Sequence, residues 1–268
     1  MTTSRLIGLQ DRWVQFIQPR VAEILSRTGN RMTRTGATTH AQQSLILTAR
    51  FISFSAQLEL PDEDLLDSAI DSECNKLYKS LHAPKINFTG INGPEWTIIQ
   101  QRIDGKEDFY RNWNTYRNGF GSFNGSFFLG LQNIHDLTSC QRHELYIHME
   151  FFNGTTIYAR YDNFTVSDEQ DNFRLLSVGE HTGTAEDRLY FHVNRGFTTF
   201  DKDNNDWVKV NCAEDRHGAW WYGICSISNL NGKYFDAEVY GYRTSIYWEP
   251  WIALKTVKMA IRPFPNKN

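Results

Sequence analysis

Residues 201–206 read Asp-Lys-Asp-Asn-Asn-Asp. Three carboxylates and two carboxamides crowd into one short stretch, and their mutual repulsion is relieved either by water or by a hard cation. Calcium accepts irregular geometry and takes roughly six to eight oxygens. An EF-hand is excluded by spacing. A loop begun at Asp201 puts Asp206 where glycine is needed and Cys212 where the bidentate glutamate belongs. The chemistry here is calcium coordination by a loop of another kind, or a solvated acidic turn.

Cys212 and Cys225 follow, separated by thirteen positions. A disulfide closing that loop contributes about 3 kcal/mol; two buried free thiols are the alternative. Zinc is disfavoured, because there is no Cys-x-x-Cys pair and His217 is the only nearby histidine. Between the cysteines, Trp220, Trp221 and Tyr222 read as core. Asn229 to Gly232 reads as a tight turn, with Gly232 free to take positive φ.

Catalytic constellations are missing from the sequence. There is no Gly-x-Ser-x-Gly elbow, P-loop, HExxH or GxGxxG. His135, His143 and His148 fall on or near predicted strands and read as polar surface or core-edge residues. An enzyme is not expected.

The elements that must position these residues are legible in part. WTIIQQR (96–102) alternates as a strand, and HELYIHMEFF and TTIYARYDNFTV are strands joined at Asn153-Gly154. DFYRNWNTYRNGFG (108–121) predicts a helix with Phe109, Trp113 and Tyr116 on one face, ended by Gly119 and Gly121. Upstream, Trp13, Phe16, Ile17, Val21, Ile24 and Leu25 recur at helical spacing, interrupted by Pro19. Residues 28–42 predict a flexible link, and Asp62 to Leu81 a helix.

Composition sets outer bounds. The 268 residues carry a net charge of −3, which favours neither a nucleic-acid partner nor an anionic membrane. The first 60 residues are basic and the remainder acidic, and seven of the eight Trp and all four Cys come after residue 60. We expect a helical and flexible segment over 1–71 and a globular domain over 72–266. No run approaches the ~18 apolar residues of a membrane span, so no membrane insertion is expected. Sequons at Asn87, Asn124, Asn153 and Asn163 are candidate glycosylation sites and fit a secreted protein. The first residues lack a continuous apolar stretch before Asp11 and Arg12, so the natural leader is expected to be missing, replaced or non-standard.

From Trp96 to Pro263 these motifs together resemble the C-terminal globular domain of fibrinogen, shared by ficolins, angiopoietins, tenascins and many invertebrate lectins. The resemblance implies an α+β fold: a twisted, mainly antiparallel sheet with short helices and a loop-rich region holding calcium and ligand. It also implies a non-enzymatic, extracellular recognition module, a Cys212–Cys225 disulfide and a cis peptide at Ile224–Cys225. In the family, the third and fifth positions of an Asp-x-Asp-Asn-Asp run bind calcium. Counting from Phe197 gives Asp203 and Asn205; counting back from Cys212 gives Asn204 and Asp206, because this loop carries one extra residue. The expected calcium ligands are Asp203 and Asp206, assisted by Asn205 and the backbone oxygen of Trp207.

Acetyl-binding family members place an aromatic four positions after the first cysteine, a histidine directly after the second, and an aromatic seventeen positions beyond it. Here those positions hold Arg216, Ser226 and Tyr242. With Arg243 and Tyr222 they imply a cleft that prefers an anion to a neutral N-acetyl group. The partner is a glycan or acidic surface ligand, or, alternatively, a cell-surface protein engaged by a secreted signal or matrix component. Homo-oligomers through the N-terminal segment are also implied. At the N-terminal edge Cys74 fits the family's first cysteine. Its partner position near Thr89 has none, and Cys140 is extra. Cys74–Cys140 pairing, free thiols and an intermolecular bond all stay open, and the small N-terminal subdomain is expected to be abridged.

Overall fold

The architecture follows from one buried C-terminal strand. In the computed structural model, which describes residues 74–264 except 92, 94, 249 and 250, β10 (Leu254–Pro263) lies between β2 (Trp96–Arg102) and β5 (His143–Phe151), antiparallel to both. Pairing runs from Leu254 opposite Phe151 to Pro263 opposite His143. Beyond β5 come β6 (Thr156–Tyr161) and β9 (His181–Gly183). Beyond β2 come β4 (Phe127–Phe128) and β3 (Phe120–Gly121), with β1 (Lys85–Ile86) pairing to β2 as well. A separate ribbon joins β7 (Thr165–Val166) to β8 (Leu175–Ser177). The expected N-terminal helix and link, and residues 62–73 of the second predicted helix, lie outside the described residues. Residues 74–81 are helical (α1).

Period-two patterning sets the core face. Leu145, Ile147, Met149 and Phe151 of β5 and Ala159 and Tyr161 of β6 are buried on one side. They join one apolar cluster with Leu131, Ile134 and Leu137 of α3 (Leu131–Cys140). On the opposite face Tyr146 stacks on Tyr158, with ring centroids 5.2 Å apart, and Phe88 lies 4.2 Å from Tyr146.

Two local expectations need correction. The helix expected from residue 108 is only Trp113–Asn118 (α2). Asn112 is the reason: its Oδ1 accepts from the Thr115 N–H at 3.0 Å, and a residue capping a helix stands outside it. Phe109 is still buried, from the extended segment before the cap, where its carbonyl accepts the Tyr116 hydroxyl at 2.7 Å. Gly119 does end the helix, at φ 89. Gly232, by contrast, is not at positive φ. It is required for space: a Cβ there would collide with the Asn229 carboxamide and the Ser245 carbonyl.

Candidate functional site

The described residues of 195–253 hold little regular structure beyond the single turn α4 (Cys212–Arg216) and isolated bridges such as Thr198–Trp220 and Asn229–Tyr247. Buried backbone groups must find partners even so, and here side chains supply them. Arg102, at the end of β2, donates to the Leu230 and Gly232 carbonyls at 3.1 and 2.8 Å and lies over the Phe109 ring at 3.7 Å. Gln100 reaches the same turn at the Leu230 carbonyl. Asn229 donates to the Arg216 and Ser245 carbonyls and accepts the Tyr222 hydroxyl. His192 connects the Trp221 carbonyl to Ser228. The Cys212–Cys225 disulfide is formed, with Cα atoms 5.1 Å apart, and Trp220 and Trp221 are fully in the core.

Arg102→Met would leave the buried Gly232 carbonyl without a donor and the Leu230 carbonyl with Gln100 alone, while also removing a buried charge. Urea unfolding should show a net loss of about 2 kcal/mol. A wild-type midpoint would contradict the pinning role.

Every oxygen-bearing side chain of the acidic loop has a partner within the protein. Asp201 Oδ1 accepts from the Trp113 N–H at 2.9 Å and from Thr199. Asn204 donates to the Phe197 carbonyl. Asn205 bridges three backbone groups: its Nδ2 donates to the Trp207 and Val210 carbonyls and its Oδ1 accepts from the Cys212 N–H at 2.7 Å. Asp206 pairs with the Arg195 guanidinium. Asp203 accepts the Asn205 N–H. Of the four expected calcium ligands, Asn205 and the Trp207 carbonyl are thus bonded to each other, and Asp206 is neutralised by a cation. Among the described residues no three His, Cys, Asp or Glu gather to hold a metal. This donor arrangement does not fit calcium. Sequence reasoning missed Arg195, which carries no motif and sits outside the loop.

The expected anion cleft is also not assembled. Arg216 is 6% exposed, ion-pairs with Asp215 and bonds the Tyr247 hydroxyl. Tyr222 is wholly buried, with its hydroxyl on Asn229. Burial raises the Tyr222 pKa well above its ordinary value. Ser226 pairs with the Tyr247 hydroxyl at 2.8 Å. Only Tyr242 and Arg243 stand in solvent. Tyr242 packs beside Phe235 and Arg243 lies over Trp251, 5.0 Å from its ring centre. The reason is depth: Arg216 ends α4, whose neighbour Cys212 is fixed to the core through its disulfide. The Ile224–Cys225 bond is trans, like every described peptide bond. Cys225 stands at φ 51, and its N–H points at Cys212 Sγ.

The loop region exposes apolar side chains beside its charged ones. Six of the nine exposed large hydrophobic residues among those described lie within it. Val208 is 97% exposed, Ile224 67%, Tyr240 63% and Tyr242 55%. The Asp206 N–H donates to the Gly223 carbonyl at 3.1 Å, joining the backbone just before Trp207 and Val208 to the residue before Ile224. The Tyr240–Ile252 bridge brings Tyr240 and Tyr242 beside Trp251. A cavity of about 260 Å³ lies elsewhere, lined by Leu81, Phe120, Phe123, Phe128 and Leu129 among others.

Known proteins resemble this chain in sequence and fold. The family described as "Fibrinogen beta and gamma chains, C-terminal globular domain" matches residues 86–264. Fibrinogen C domain-containing protein 1-A of Xenopus laevis is 41% identical over 186 residues, 66% of this chain and 40% of that protein. Human microfibril-associated glycoprotein 4 is 39% identical, over 63% of this chain and 70% of its own. The fibrinogen-like globe domain of human ANGPTL2 superposes with a TM-score of 0.63 at 33% identity, over 72% of this chain and 98% of that domain. A lamprey fibrin D-dimer complexed with the peptide Gly-His-Arg-Pro-amide superposes at 0.63 with 22% identity, over 100% of this chain and 96% of its own, a likeness of fold alone. The chain thus spans about two-fifths of the length of the Xenopus relative. With a sheet, loop region and sequence match that all agree, the chain belongs to the fibrinogen C-terminal globular domain family.

Proposed function

We propose that this chain is a non-catalytic recognition module acting outside the cell, and that it binds ligand through its loop region. The observation that carries this is the concentration of exposed apolar side chains there. Exposed aromatics and aliphatics in two clusters are costly to leave in water and are anchors for a partner. An oxidising compartment is supported by two disulfides, Cys74–Cys140 and Cys212–Cys225, which use all four cysteines.

The Tyr242–Arg243–Trp251 cluster suits a glycan or acidic surface ligand: flat rings for stacking, and one exposed guanidinium for a carboxylate. Titration with sialic acid and N-acetylglucosamine tests this, and Arg243→Ala should remove any preference for the acid. Equal binding of both sugars by wild type would defeat it. A second reading, recognition of a cell-surface protein, is favoured by Val208 and Ile224. Branched aliphatic groups offer a sugar neither stacking nor hydrogen bonds. Binding to intact cells that survives glycosidase treatment would select that reading.

The sequons differ in surroundings. Asn87, Asn124 and Asn153 are exposed, whereas Asn163 is half-buried and donates to Ser177 at 3.2 Å. Glycopeptide mapping of secreted material should find the first three modified and Asn163 bare. An occupied Asn163 would contradict this assignment.

A further inference from the structure

The acidic loop and Arg195 disagree with a calcium site in a way that points to its replacement. We infer that the Arg195 guanidinium takes the place of a divalent cation at this loop, so that the loop is held without metal. Arg195 comes from the segment just after the turn at Tyr190–His192, not from the loop itself. Its Nη1 reaches Asp206 Oδ2. Its Nε lies against Gly223, where a Cβ would come within 3.1 Å of it. The Asp206 N–H in turn donates to the Gly223 carbonyl. One side chain therefore joins the acidic loop to the segment that leads into Cys225.

The rest of the loop agrees. Asn205 stands where a second anionic ligand is expected, and its carboxamide closes the turn on the Trp207 and Val210 carbonyls and the Cys212 N–H. The Asn205 carboxamide oxygen and the Trp207 carbonyl are two of the oxygens expected for the cation, and both are engaged within the loop. A cation entering here would have to expel a guanidinium from Asp206 and open the Asn205 turn. A tethered positive charge needs neither, and it cannot be removed by chelators. The consequence is that Trp207, Val208 and Ile224 are presented in the same way whether calcium is present or absent. This inference is independent of what the loop region binds, and its test uses no ligand.

The experiment is thermal melting and limited trypsin digestion of the full chain in millimolar calcium and in excess chelator. The loop offers its own reporter, because Lys209 is exposed at its tip. A cation bound only by the folded state at about a hundredfold its Kd would raise Tm by roughly 5–10 °C. We expect wild type to melt within about 1 °C in the two buffers, with the same rate of cleavage after Lys209. Arg195→Ala should cleave there several-fold faster in chelator. Asp206→Asn, which removes the partner from an exposed position, should do the same and serves if Arg195→Ala does not fold. A calcium-dependent rise in wild-type Tm, or protection of Lys209 by calcium, overturns the inference. So does cleavage of Asp206→Asn at the wild-type rate.

Discussion

Acidification from pH 7 to pH 4 should destabilise this domain by about 6 kcal/mol through two histidines alone. His143 and His192 are both buried, and burial pushes each pKa down from 6.5 to about 4. Their hydrogen bonds fix the neutral form. In each ring Nδ1 faces a carbonyl, that of Gln141 for His143 and of Trp221 for His192. A carbonyl only accepts, so Nδ1 carries the proton. Nε2 is then left to accept from a hydroxyl, Tyr78 for His143 and Ser228 for His192. Arg195 disfavours a charge on His192 further, and Asp187 opposes that effect.

Between pH 6.5 and 4 the unfolded chain takes up these protons and the folded chain does not. The contribution is therefore fully present above pH 6.5 and is lost as the pH falls towards 4. At about 1.4 kcal/mol per pH unit, each ring accounts for roughly 3 kcal/mol. Urea unfolding across this range measures the slope, and His192→Gln isolates one share. The variant should be less stable at pH 7 but lose about 3 kcal/mol less on acidification. Parallel curves for the two proteins would show that His192 is not held neutral.

Loss of the Cys74–Cys140 bridge should be the most damaging covalent change. The bridge closes 66 positions of chain, and a loop of that length corresponds to about 4 kcal/mol of unfolded-state entropy. It fixes α1 to the C-terminal end of α3, beside the contact of Tyr78 with His143. The Cys74→Ser/Cys140→Ser double variant should melt about 8–15 °C lower. Trypsin should also cut it early at the exposed Lys79, since α1 has then lost its covalent tie. Melting within about 2 °C of wild type would mean that α1 packs adequately without the bridge.

How far the sequence reaches differs between these features. The β5–β6 hairpin is legible because alternation and Asn153-Gly154 state the same answer twice. The start of α2 is not, because the 3.6-residue spacing of Phe109, Trp113 and Tyr116 continues straight through Asn112, whose side chain ends the helix locally. The Cys74–Cys140 pair stays open in the sequence because 66 positions of chain separate two residues with no shared motif. In the loop region, a resemblance places residues at positions but not at depths. Arg216 and Tyr222 occupy positions of a ligand cleft, yet one turns inward to Asp215 and Tyr247 and the other to Asn229. The Arg195–Asp206 pair spans two separate segments, so no local pattern announces it. Composition does show that the region is aromatic; only the fold shows that Trp220 and Trp221 are buried while Tyr240, Tyr242 and Trp251 are exposed.

The central claim is that the exposed apolar side chains of the loop region are the recognition surface. The most direct test is binding of the labelled full chain to a printed glycan array and to intact cells, comparing wild type with Ile224→Asp and Tyr242→Ala. Both side chains are largely exposed, so both variants should keep the wild-type melting temperature. The account predicts that at least one loses about tenfold or more in binding, the loss of a single anchor worth about 1.4 kcal/mol. Wild-type binding by both variants, with folding intact, would contradict it and move recognition to another face of the domain.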